Sequence, residues 1–159
     1  MDRTIILMTH IHLISIAKTK HCEEEALCKR YIKRLPWRVT QKTFFIKQYL
    51  EGEKRRNAEA QLLLNAIPSQ SIVIAMDEHG KAFSSEDFSK QISLWQQESS
   101  QLAFLIGGAD GHGKAILERA NLTMQLSKMT FPHLLAKALL MEQLYRAHSL
   151  LSGHPYHRE

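Results

Sequence analysis

Cysteine is scarce: Cys22 and Cys28 are the only two. They stand six apart in a segment that reads as helix, which is poor geometry for a local disulfide. Neither belongs to a C-x-x-C pair or a Cys/His finger, so both are expected as reduced thiols of a cytosolic protein. His10, His12, His21, His79, His112 and His148 show no metal-ligand spacing, and no metal is expected. No run is apolar for the length of a membrane span, so no membrane partner is expected. The opening "MDRTIILMTHIHLISIAK" is apolar enough to suggest a leader, but Thr9, His10 and His12 interrupt it and no small-residue cleavage site follows. Repeats, low-complexity tracts and linkers are also missing. The 159 residues are therefore expected to form one soluble, cytoplasmic unit.

Hydrophobic residues make up 44% of the chain and charged residues 23%, which are globular values. The formal net charge of +5 gives a surface that leans towards anions such as nucleic acid. Apolar runs alternate with helical stretches. "IHLISIA" (11–17) reads as a strand, and "CEEEALCKRYIKRL" (22–35) as a helix with acids first and bases last, stopped by Pro36. A strand falls within 39–50, and the helix 54–67 ends at Pro68. Then come the strand "SIVIAM" (71–76), a turn at "DEHGK" and the helix 85–97, with Ser85 as N-cap and Phe88, Ile92 and Trp95 on one face. Strands at 101–108 and 122–127 flank the short helix 114–120. Thr130 is expected to cap the last helix, with Pro132 in its first turn and Gly153 and Pro155 at its end. Strand–helix alternation with short connections predicts an α/β fold, a mostly parallel sheet flanked by helices.

"FLIGGADGHGKA" (104–115) carries the chemistry. Gly108, Gly113 and Lys114 fit G-x-x-x-x-G-K, and "IVIAMD" upstream ends in an acid. A working phosphate loop needs Ser or Thr after the lysine, where this chain has Ala115, and the order of glycine loop and acidic strand is reversed. A G-x-G-x-x-G fingerprint is absent as well. What remains is a glycine run at the carboxyl end of a strand, either a tight turn or a loop wrapped round a ligand. Spacing alone leaves both open, and a small P-loop-like nucleotide-binding protein stays as an alternative.

"LIGGADG" followed by "LTMQLSKMTFPHLLAKALLMEQLYRAHSLLSGHPYHRE" resembles the type H ribosomal large-subunit pseudouridine methyltransferases of the SPOUT class. The resemblance covers nearly the whole chain and is densest from Ile72 onward. It implies a single SPOUT domain over 1–159 with a short N-terminal extension (1–10), and a C-terminal trefoil knot. It further implies a homodimer that transfers methyl from S-adenosylmethionine to N3 of a pseudouridine in the 23S rRNA of the assembled ribosome. A non-catalytic ribosome-binding protein on the same fold is the further alternative. Carried over, the cofactor residues are Met76, Gly108 and the stretch Leu126, Ser127, Lys128, Met129, Thr130 and Phe131. This chain has Ala109-Asp110 where the family commonly has Pro-Glu, and Lys137 where it commonly has arginine.

The transfer needs an aligned nucleophile more than acid–base machinery, with a base or cation to help N3 lose its proton. The candidates for that role are His154, Tyr156 and His157 of the tail, which would reach the partner's pocket. Lys54, Arg55 and Arg56 (with Lys42 and Lys47 nearby), Arg146 and Arg158 are the RNA-binding candidates. Glu142 and Arg146 are spaced for a helical ion pair, and His133 falls beside the cofactor loop. Leu134, Ala138, Met141 and Tyr145 share one helical face, expected to be core or dimer interface.

Overall fold

The computed structural model describes residues 8–18 and 21–158. Ten elements alternate along it: β1 (His10–Ile16), α1 (Glu23–Arg34), β2 (Arg38–Phe44), α2 (Gly52–Ala66), β3 (Ile72–Ala82), α3 (Ser85–Glu98), β4 (Gln101–Ile106), α4 (Lys114–Arg119), β5 (Leu122–Gln125) and α5 (His133–Ser152). The strands form one sheet in the order β2-β1-β4-β3-β5, every neighbouring pair parallel.

Period-two alternation sorts the strand residues onto two buried faces. Ile11, Leu13, Ile72, Ile74, Leu102 and Phe104 meet Cys28 of α1, Phe88, Ile92 and Trp95 of α3, and Ala138, Met141 and Leu144 of α5. Ile14, Ile16, Val73, Ala75, Ala103 and Leu105 meet Ala60 and Leu63 of α2 and Ile116 of α4. Of the face expected on α5, Ala138 and Met141 are fully buried in the first cluster, and Tyr145 packs against it. Both cysteines are free, and burial pushes the Cys28 thiol up to about 11. Lys137, 3% exposed, reaches Glu25 of α1 through a single 2.9 Å contact, the point contact that lysine makes in place of a guanidinium fork.

Several boundaries differ from expectation, each for a local reason. Residues 1–7 of the proposed extension lie outside the described residues, but its last residues belong to the fold. Thr9 is buried, its hydroxyl accepts from Gln96 Nε2 at 2.9 Å, and β1 already begins at His10. The "DEHGK" turn is instead part of β3, which bows out after Met76 and returns at Lys81, both pairing with Met124 of β5. The N-cap of α3 is Ser84, whose hydroxyl accepts from Asp87 N at 3.0 Å, while Ser85 donates to Gln143 of α5. Pro132, not Thr130, precedes α5, because Thr130 is drawn away to Glu78. Strands β4 and β5 stop at Ile106 and Gln125, two residues early, where the chain turns into loops. Gly153 closes α5 in the left-handed conformation, φ 74°.

At the amino-terminal edge of the sheet, the rings of His10 and His12 lie 3.8 Å apart. His12 Nε2 meets Gln101 Oε1 at 2.6 Å, and His10 Nε2 meets Thr40 Oγ1 at 2.7 Å. Burial is the first cause that lowers both pKa values below 6.5, with Arg38 and, for His10, the neighbouring ring adding to it. The folded chain therefore prefers both rings neutral. Their contribution to stability is complete above about pH 6.5 and is lost as pH falls through the lower folded values. The melting temperature is expected to drop between pH 8 and pH 5, and His12→Gln is expected to flatten that slope in thermal scans.

Candidate functional site

A cleft of about 940 Å³ opens at the carboxyl ends of β3, β4 and β5. Parallel α/β sheets place ligands on this side, where strand order reverses. Three segments wall it: the bowed stretch of β3 from Met76 to His79, and the loops Ile106 to His112 and Leu126 to His133.

The glycine loop is a closed turn. Gly111 N donates to Gly108 O at 3.0 Å, and Gly111 has φ 73°, which a side chain would strain. Gly107 and Gly108 answer to crowding instead. A Cβ on Gly107 would stand 3.2 Å from Gly111 and the His112 ring, and one on Gly108 would stand 3.0 Å from the carboxylate of Glu59. His112 Nε2 lies 3.1 Å from Leu105 O, bracing the turn against β4. Burial, the largest influence, lowers the pKa of His112, so the ring is neutral and Nε2 carries the proton donated to that carbonyl.

The third segment is braced too. Ser127 Oγ accepts from Met129 N at 3.0 Å, and Thr130 Oγ1 donates to Glu78, tying this loop to the bowed stretch of β3. Gln125 Nε2 donates to Gly80 O at 2.7 Å, while its Oε1, at the cleft wall, is buried without a partner among the described residues.

Of the carried-over residues, Met76, Gly108, Leu126, Ser127, Met129, Thr130 and Phe131 line the cleft, as do Ala109, Asp110 and His133. Lys128 is on the same loop but exposed and outside the lining. The phosphate-loop reading fails on geometry. Lys114 projects into solvent towards Glu118, at 3.5 Å, and lies outside the lining, and the helix behind it has six residues. The sequence reading missed Asp77, Glu78, His112 and Gln125. Their shared signal is a polar residue within a few positions of the end of a buried strand.

The tail does not lie in this cleft. Tyr156 packs edge-on against Tyr145, ring centroids 4.7 Å apart, and its hydroxyl donates to Glu142 Oε1 at 3.0 Å, with Tyr31 OH 3.4 Å away. Burial and these two partners push the Tyr156 phenol well above its usual value, so it stays protonated here. His157 Nδ1 meets Arg146 at 3.2 Å, and His154 is exposed. The solvated, frayed terminus that tails usually form is therefore replaced by a docked one. It docks at the middle of α5, nine residues or roughly 14 Å of helix from His133, with His157 Nε2 4.0 Å from Glu86 of α3.

The basic candidates also separate. Lys54 and Arg158 are exposed. Arg55 pairs with Glu59 at 2.9 Å, Arg56 packs its stem against Gly113, and Arg146 pairs with Glu142 and lies over the Tyr156 ring. Lys42 and Lys47 are exposed beside β2. Among the described residues no group of three His, Cys, Asp or Glu side chains is placed to hold a metal ion. Among the same residues no helix is long and apolar enough to cross a membrane.

A parallel sheet with a glycine-walled cleft at its carboxyl edge, entered by a loop that leads into the last helix, is the setting in which the comparisons fall. Residues 9–157 match the family model described as predicted SPOUT methyltransferase. The chain belongs to this family, within the group of ribosomal RNA large subunit methyltransferase H. A relative of that name from Paramagnetospirillum magneticum is 44% identical over 147 residues, 92% of this chain and 97% of its own length. Another from Thioalkalivibrio sulfidiphilus is 38% identical over 157 residues, 94% and 99% of the two chains. The fold is shared with a solved Neisseria gonorrhoeae ribosomal RNA small subunit methyltransferase E bound to S-adenosyl methionine. That match has a TM-score of 0.51 at 12% identity and covers 89% of this chain and 67% of the other.

Proposed function

We propose that this chain is the S-adenosylmethionine-dependent methyltransferase of a pseudouridine N3 in 23S rRNA, acting in the cytoplasm on the assembled ribosome as a homodimer of one-domain, knotted subunits. The observation that carries the reading is the cleft, formed by the bulge of β3 and the loops after β4 and β5, with glycines in its wall. Its chemistry fits the cofactor. Met76, Ile106, Leu126 and Phe131 offer apolar surface to a purine, and the backbone of Gly107 and Gly108 lines the cleft beside them. Asp77, Glu78 and Asp110 suit the cationic ammonium and sulfonium groups.

When bound, the cofactor supplies the electrophilic methyl group. The protein's task is to present N3 in line with it and to exclude water. His133 and the Met129–Phe131 stretch line the cleft, and the exposure of Met129 leaves that side open to an approaching base. The tail's position supports a composite site. None of His154, Tyr156 and His157 lines the cleft of its own subunit, so their role is assigned to the partner's. The basic surface at Lys42, Lys47 and Lys54 is exposed to phosphates, as is Arg158 of the tail.

Calorimetric titration with S-adenosylmethionine, with Mg-ATP in parallel, tests the pocket. Methyl transfer to large subunits lacking the modification tests the reaction. Binding of the cofactor alone and stoichiometric transfer at one pseudouridine are expected, with turnover at least tenfold lower on naked RNA. Binding of cofactor with no transfer to any ribosomal particle would reduce the protein to a non-catalytic ribosome-binding relative.

A further inference from the structure

Helix α2 begins as a basic, solvated segment and then buries one acid. Glu59 is only 3% exposed, one turn after Arg55, and it sits against the back of the glycine loop. Arg55 Nε stands 2.9 Å from Oε1, yet among the described residues neither carboxylate oxygen receives a well-aimed hydrogen bond. Both oxygens are 3.0 Å from the point that a Cβ on Gly108 would occupy, with Ile16 closing the other side. Gly108 itself lines the cleft. The partition between this carboxylate and whatever fills the cleft is therefore one residue of bare backbone.

Burying a carboxylate is costly, and a single ion pair at one oxygen offsets only part of that cost. An apolar side chain of similar size would fill the space without it. Packing alone thus gives no reason for the charge, whereas a cation on the other side of Gly108 does. Burial raises the pKa of Glu59 and Asp110 adds to the rise, while Arg55 and His133 oppose it, so a test belongs at alkaline pH.

We propose that Glu59 is a positioning residue whose negative charge, acting through the backbone of Gly108, makes the cleft prefer the cationic sulfonium cofactor over its neutral thioether product. The inference rests on the methyltransferase reading above. In the reaction the bond between sulfur and the methyl carbon breaks, and its electron pair returns to sulfur. N3 forms the new bond to carbon and gives its proton to the medium. The positive charge has then left the sulfur, and the attraction to Glu59 ends with it. The residue holds the substrate form of the cofactor and relaxes its hold once the methyl group is gone. A positive centre touching the cleft side of Gly108 lies roughly 7–8 Å from the carboxylate. At an effective dielectric constant near 20 that corresponds to roughly 30- to 55-fold in affinity, which screening by water and ions in the open cleft reduces to about tenfold. Asp77, Glu78 and Asp110 act on the same charge from the solvent side, where water screens them more strongly.

The test is calorimetric titration of the full chain at pH 8 with S-adenosylmethionine and, separately, with S-adenosylhomocysteine. Wild type, Glu59→Gln and Glu59→Asp are compared, each checked by thermal melting. Glu59→Gln is expected to weaken sulfonium binding about tenfold and thioether binding by less than twofold. Glu59→Asp keeps the charge and is expected to keep the wild-type ratio of the two affinities within about threefold. Equal weakening of both ligands by Glu59→Gln would reduce the residue to a loop support and overturn the proposal, as would no change in either. If Glu59→Gln does not fold, Glu59→Met, which fills the space without the charge, takes its place: selective loss of sulfonium binding upholds the charge effect, and equal loss or no loss ends it. Failure of the wild type to bind either ligand is a different result, and it overturns the methyltransferase reading itself.

Discussion

Replacing Gly80 by alanine is expected to destabilise the protein by about 3 kcal/mol, more than the usual cost of overpacking, because the obstacle is backbone. A Cβ there would stand 2.5–2.6 Å from N, Cα and C of Met124. Side chains yield to such intrusions by changing rotamer, but a strand held in a parallel ladder does not. Met124 is fixed twice, opposite Met76 and again opposite Lys81, so it has no direction in which to retreat. Backbone conformation is not the issue, since Gly80 is not among the positive-φ glycines; close approach is. In thermal scans the loss should appear as a fall of roughly 6–12 °C for a chain of this size. Cofactor affinity should fall with it, because Gln125 is tied to Gly80 O and Met124 and Gln125 both line the cleft. A melting temperature within 2 °C of the wild type would mean that β5 can shift away from β3 at little cost.

Ending the chain at Gly153 is expected to lower methyl transfer at least a hundredfold while cofactor affinity changes by less than twofold. The lost residues His154, Tyr156, His157 and Arg158 do not touch the cleft of their own subunit. Their loss should therefore spare the pocket and remove only the groups that the proposed dimer would offer to the partner's substrate, where misplacement by an ångström already costs about a hundredfold. Stability should change modestly. The truncation uncovers Tyr145 and Tyr31 and removes one edge-on aromatic contact, worth about 1 kcal/mol. Sedimentation should still report a dimer. Turnover at the wild-type rate would remove the tail from the mechanism, whereas loss of cofactor binding would place it in the pocket rather than at the substrate.

The sheet was legible because its strands are buried on both faces and announce themselves as apolar runs; "IVIAM" and "LAFLI" have few other uses. The glycine loop was legible for a related reason, since a run of glycines after such a strand needs an explanation. Residues whose role depends on a distant partner were not. Nothing local distinguishes "DEHGK" from a turn, because what keeps it in β3 is β5, which arrives some forty residues later. Glu59 reads as one more solvated acid in a charged helix, and only the approach of Gly108 gives it a meaning. Thr130 has the right type and spacing for a helix cap, and Glu78 outbids the helix for its hydroxyl. The tail was judged by where it should act, while its resting place against Tyr31 and Tyr145 depends on an aromatic surface drawn from two helices.

The double pairing of Met124 also orders events in time. Residues 77–80 cannot settle until β5 is in place, and the cleft's third wall comes later still, with Leu126 to His133. On the ribosome that makes it, a nascent chain that has emerged as far as β4 already holds four of its five strands but no pocket. The methyl donor therefore has nowhere to bind on a half-made copy. Incomplete or prematurely terminated chains neither sequester the donor nor compete for it, and the capacity to bind it marks a molecule whose synthesis is all but finished.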